Sequence, residues 1–157
     1  MKFNRLFVVA LTAFMALVCV PGKAAASPAS DVMAAINHAV VAFNKGDMKT
    51  WTAACASPAA VIDDFPPHSW QGSTACADWA SSYTAFSKKN GITDGIVTLS
   101  TPWHVAVTGA HAYVVCPATF TYKQNGKPMK ESGSIFTLVL TKSTTGWLIT
   151  SWAWAQH

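Results

Sequence analysis

The residues best placed to do chemistry are Asp63 and Asp64, which close the short apolar run Ala59-Ala-Val-Ile. A carboxylate beside apolar walls is partly desolvated, and desolvation raises its pKa towards the range where it can take and return a proton. Asp63 is the candidate general base. The competing reading is a strand-end carboxylate that hydrogen-bonds the following loop. Asp64 should point to the opposite face, towards solvent. His104 falls on a strand from which it could reach inward, which makes it the candidate catalytic partner. His38 follows Ile36 by two and should face outward, His68 lies in a loop, and His111 opens a strand beside a turn. No two histidines stand at ligand spacing on one element, so no metal site is assigned. No cofactor motif is present either.

Cys55, Cys76 and Cys116 follow the N-terminal segment. Their spacing is neither a zinc pattern nor a C-x-x-C redox motif. Cys55 and Cys76 lie on predicted helices flanking one connection and are the favoured disulfide pair, with Cys116 a buried strand residue. Three free thiols is the alternative.

Those residues need elements to position them. Lys2 and Arg5 precede an apolar run from Leu6 to Val20, broken by Pro21-Gly22 and followed by Ala24-Ala-Ala. The run is shorter than the ~20 residues that span a bilayer, and residues 1–26 read as a cleaved signal peptide. Residues 27–157 then form one domain, exported to the periplasm or secreted, with no membrane association after cleavage. Of 11 cations, Lys2, Arg5 and Lys23 leave with the signal, so eight face seven acids. A near-neutral balance does not support a nucleic-acid surface.

Ser30 or Asp31 should start a first helix, with Val32, Ile36, Val40 and Phe43 as its apolar stripe. Gly46 ends it, and Asp47 caps a second helix with Met48, Trp51 and Cys55 on one face. Ala60–Asp64 is extended, and Phe65–Gly72 is a loop by its prolines and glycine. Ser73 or Thr74 caps a third helix whose inner face is Cys76, Trp79, Tyr83 and Phe86. Beyond Ile92 the period becomes two. Strands are expected over 96–107, 111–123, 129–141 and 147–155, with Asn125-Gly126 as a hairpin turn. Pro117 implies a bulge or an edge. In a regular last strand Trp147 and Ile149 share one face and Trp152 and Trp154 the other, unless a bulge between Ser151 and Trp154 intervenes. The order predicts an α+β fold with three N-terminal helices packed on a curved antiparallel sheet.

Three stretches carry a family resemblance: FNKGDMKTWTAACASPAAVIDDF, the helix start QGSTACADW, and the closing GSIFTLVLTKSTTGWLITSWAW. Together they resemble a SnoaL-like member of the nuclear-transport-factor-2-like superfamily, the group with the ketosteroid isomerase-like fold. The resemblance implies a conical cup with an apolar pocket for a small hydrophobic molecule, and homodimers formed through the sheet. It places Asp63 at the family's general-base position. Trp70, Tyr83, Trp103 and Trp154 are the ligand-pocket candidates. The isomerase also needs an oxyanion donor pair, a case the general literature of catalysis uses as a worked example. Here Ala39 and Ser134 stand at those two positions. The expected function is therefore a small-molecule-binding domain of unassigned activity. A lyase or isomerase using Asp63 and a non-catalytic dimer or partner-binding module are the alternatives.

Overall fold

A computed structural model describes residues 27–156; the proposed signal segment lies outside them. Helix α1 spans Pro28–Asn44. It begins earlier than its apolar stripe suggests, because Ser27 caps it: its Oγ accepts from Ser30 N at 3.2 Å, and Pro28 needs no amide partner at that position. Val32, Ile36, Val40 and Phe43 are buried as the stripe requires, joined by Ala39 and Ala42. Gly46, at φ 70°, makes the break. Asp47 then caps α2 (Met48–Ala53), accepting from Thr50 N at 3.0 Å.

Cys55 opens strand β1 (Cys55–Ile62) rather than ending α2. The supposed loop after Asp64 contains a second strand, β2 (Ser69–Gly72), which folds back antiparallel on Ala59–Ile62. Helix α3 spans Ala75–Asn90 and ends at Gly91 in the left-handed conformation, with Lys88 and Lys89 in its last turn. Thr74 stands at its start without a side-chain cap bond. The disulfide Cys55–Cys76 ties the start of β1 to the first turn of α3, and Cys116 is free and buried.

The remaining strands are β3 (Ile92–Leu99), β4 (His104–Thr108), β5 (His111–Gln124), β6 (Lys127–Ser143) and β7 (Gly146–Ala155). They build one seven-stranded sheet ordered β2-β1-β7-β6-β5-β3, with β4 also on β5. The sheet is mixed rather than wholly antiparallel, since β1 runs parallel to β7. The single strand expected over 96–107 is two. Pro117 O accepts from Ser100 N at 2.9 Å, but proline has no N–H to return, and the edge strand breaks there between β3 and β4. Proline thus interrupts its neighbour, while β5 itself keeps an unbroken alternation.

Bulges in β6 and β7 reverse which residues face the helices. In β6 the pairing passes from Ala118↔Ser134 to Thr119↔Ser132, leaving Gly133 as an extra residue at φ 84°. Ser134, Phe136, Leu138 and Leu140 face inward on one side of it, and Glu131 reaches the interior on the other. In β7 the pairing passes from Val139↔Ser151 to Leu140↔Ile149, leaving Thr150 extra. Trp147 and Ile149 therefore share the concave face with Trp152 and Trp154. The expected split of tryptophans between the two faces does not occur.

Asn44 locks the helices to the sheet edge. Its Nδ2 donates to Val97 O and its Oδ1 accepts from Val97 N, both at 2.8 Å. These bonds satisfy backbone groups that an edge strand would otherwise leave open.

The disulfide closes a loop with a sequence separation of 21 residues. A loop of that size should contribute roughly 3 kcal/mol by restricting the unfolded chain. Urea unfolding of the protein with and without reductant should show a loss of unfolding free energy of that order, read as a lower midpoint. Coincident curves, or a mass showing no loss of two protons in the oxidised protein, would contradict it.

Candidate functional site

The concave face of the sheet and the three helices enclose a cavity of about 350 Å³. Its wall is largely rings. Phe43 comes from α1, Trp79, Tyr83 and Phe86 from α3, and Phe120, Phe136, Trp152 and Trp154 from the long strands. Trp79 and Tyr83 stack at 5.5 Å with an interplanar angle of 12°, and Trp152 meets Trp79 edge-on at 5.0 Å. Such pairs contribute about 0.5–1.5 kcal/mol each beyond area burial and hold one another in place.

Asp63 stands in this wall just past the end of β1. Its Oδ2 accepts from Trp79 Nε1 at 2.8 Å, and its Oδ1 accepts from Asp64 N at 2.8 Å. Its backbone is fixed by the next turn: Asp63 N donates to His68 O at 3.1 Å, and His68 Nδ1 approaches Asp63 O at 3.2 Å. The same turn folds Phe65 inward, 5.1 Å from Trp70 and from Phe86. Asp63 thus bonds the following segment with its main chain and with Oδ1, while Oδ2 is held in the cavity wall by Trp79.

Burial is the main cause that lifts the Asp63 pKa, to about 7. The bond from Trp79 pulls the other way. Burial also raises Tyr83, with the Asp63 and Glu131 charges adding to it. Glu131 is raised by burial and then by the Asp64 charge, against bonds from Gln156 and Tyr122. Asp64 is exposed, as expected, yet it lines the cavity beside Asp63.

The chain matches the SnoaL-like domain model over residues 32–154. It belongs to the SnoaL-like family. No curated protein sequence is detectably similar to it. Among solved structures it is similar to a nuclear transport factor 2-like superfamily protein from Salmonella enterica, with TM-score 0.67 and 17% identity over 80% of this chain and 88% of that one. A putative dehydratase of the same superfamily from Streptomyces avermitilis aligns with TM-score 0.67 and 20% identity, over 82% and 95%. The CaMKII hub of S. rosetta aligns with TM-score 0.66 and 18% identity, over 85% and 99%. At these identities the likeness is one of fold.

Within this SnoaL-like domain, Asp63, Tyr83 and Trp154 meet at one cavity. His104 does not join them. It is exposed on β4 with its ring 5.9 Å from that of Tyr113, while Val105 and Val107 pack inward. Trp103 is 69% exposed in the β3–β4 connection, and Trp70 is buried beneath Phe65 with its Nε1 donating to Ser82 Oγ at 3.1 Å. Neither lines the cavity. Ala39 and Ser134 are fully buried and do not line it either.

Sequence reasoning missed Glu131, Tyr122 and Gln156 at the cavity, and Gly95 behind it. Gly95 follows Asp94 in a bulge of β3. A Cβ there would stand 2.9 Å from Tyr83 Oη and 3.0 Å from the Phe120 ring. The one available signal was an isolated glycine inside a strand pattern.

The raised Asp63 pKa fixes a sign for stability. The folded state holds this proton more tightly than the unfolded chain, whose value is near 3.8. Stability therefore falls as pH rises from about 4 to about 7, by on the order of 4 kcal/mol for this group, and levels off above. Asp63→Asn removes the ionisation. Denaturant unfolding across that range should show the variant gaining on the wild type as pH rises, and parallel pH profiles would contradict the assignment.

Proposed function

We propose that this is an exported SnoaL-like domain, periplasmic or secreted, that binds a small, largely apolar molecule in its cavity. The observation that carries the reading is the ring-walled cavity with a buried carboxylate in its wall. Pockets for small ligands commonly occupy ~300–1,000 Å³ and combine apolar walls with a few placed polar groups. The volume of about 350 Å³ and the placement of Asp63 fit that description.

A second reading has its own support. A carboxyl poised at about 7 is matched to moving protons near neutral pH. Asp63 would then be the base of a lyase or isomerase, with Tyr83 as the nearby hydroxyl and without His104. The residues at the family's donor positions, Ala39 and Ser134, weigh against the isomerase version.

The outer face of the sheet supports a homodimer. Register places Tyr113 beside Val139 and Ser151, and Val115 beside Thr137 and Ala153, with Ile62 next to Ala153. This stretch carries no charged side chain, and Ile62 and Tyr113 are exposed. Exposed apolar patches of this kind mark contacts.

Native mass spectrometry of the protein purified from its own host tests both points. The expected spectrum shows a dimer beginning at Ser27, with a small molecule lost on denaturation. Ile92 also lines the cavity, and filling the space with Ile92→Trp should abolish that adduct. A ligand-free monomer, from wild type and variant alike, would contradict the reading.

A further inference from the structure

The charges around the cavity are of one sign. Asp63, Asp64 and Glu131 line it, and no Lys, Arg or His does among the described residues. Overall acidity does not explain this, since residues after 26 carry eight lysines against seven acids. Asp63 is 9% exposed; its carboxylate accepts from two neutral donors, Trp79 Nε1 and Asp64 N, and its nearest charged neighbour is another acid, the Asp64 carboxyl. The ion pair recorded among the described residues, Lys123 with Asp94, involves none of the three. A buried carboxylate with no cation facing it is costly, and a ligand that supplied the cation would recover that cost.

The walls favour the same ligand. Indole and phenol faces attract cations through their ring quadrupole, by about 0.5–2 kcal/mol according to desolvation. Trp79, Tyr83, Trp152 and Trp154 present such rings beside the carboxylates. An anionic ligand would meet Asp64, Glu131 and, once it ionises, Asp63. A neutral one would bury them further without compensation.

We propose that the cavity takes an organic cation: a small apolar or aromatic body bearing one ammonium group, its rings against the aromatic wall and its charge among Asp63, Asp64 and Glu131. The inference rests on the cavity being a ligand site and adds the ligand's charge. Asp63 and Glu131 are both raised chiefly by burial, Glu131 also by the Asp64 charge, and a bound cation relieves both.

Three probes on one skeleton separate the possibilities: 2-naphthylmethylammonium, 2-naphthylmethanol and 2-naphthoate, titrated calorimetrically into the protein. The ammonium should bind at least about tenfold tighter than the alcohol, and the carboxylate weakest. Ammonium affinity should rise from about pH 6 to about pH 8 as Asp63 ionises, while the alcohol stays flat. The titratable groups that share the cavity with Asp63 are Asp64 in the turn, Tyr83 on α3, Tyr122 on β5 and Glu131 on β6, and the His68 ring lies behind it against Asp63 O. Glu131→Gln should lower the ammonium-to-alcohol ratio several-fold. Equal affinity for alcohol and ammonium would overturn the charge assignment and leave the cavity reading standing. Binding of none of the three would overturn both.

Discussion

The hydrogen bond from Trp79 Nε1 to Asp63 Oδ2, 2.8 Å long, joins α3 to the end of β1 inside the cavity wall. A carboxylate so placed has lost much of its water and faces no cation in exchange. Its neighbours must therefore be held rigidly, because a misplaced donor would leave a buried charge unsatisfied. Trp79 is held by stacking on Tyr83 and by edge contacts with Trp152. Asp63 is held by the turn that closes through His68. The disulfide fixes α3 to β1 near its first turn, so both sides of the Trp79–Asp63 contact belong to elements that are covalently tied.

Face parity decides the rest. A strand's side chains alternate, so one inserted residue exchanges inside for outside along everything beyond it. Thr150 does this in β7 and brings Trp152 and Trp154 under the helices. Gly133 does it in β6 and brings the chain's only glutamate, Glu131, to the cavity. Without the first bulge the cavity would lack two of its ring walls. Without the second it would lose one of its three carboxyls. Two extra residues thus complete the aromatic lining and the single-signed charge of the cup.

Much of the fold was legible because it was local. The stripe Val32-Ile36-Val40-Phe43, the Asp47 cap, the Asn125-Gly126 hairpin and the α3 face from Cys76 to Phe86 all rest on spacing within one element. The cysteine pair followed from the connection between two elements. What escaped depended on partners. The bulges are invisible until strands are paired, so Glu131, Trp152 and Trp154 were assigned no inward role or an uncertain one. β2 was hidden by the prolines that precede it, and the β3–β4 break arises from a proline in the neighbouring strand. His104 was misplaced for a related reason: the expected strand over 96–107 was read through that break, and inside and outside were not tied to pairing with β5. Asp63 was legible as a position, but its partner Trp79 was known only as a core residue of α3.

The account stands on Asp63 being a carboxyl whose ionisation is held back chiefly by burial and then by the neighbouring Asp64 carboxyl. Carbon-13 NMR of the aspartate side-chain carboxyls, with Asp63→Asn to identify the resonance, measures this directly. The account predicts a titration midpoint for Asp63 of about 7. A midpoint in the ordinary aspartate range, near ~4, would contradict it.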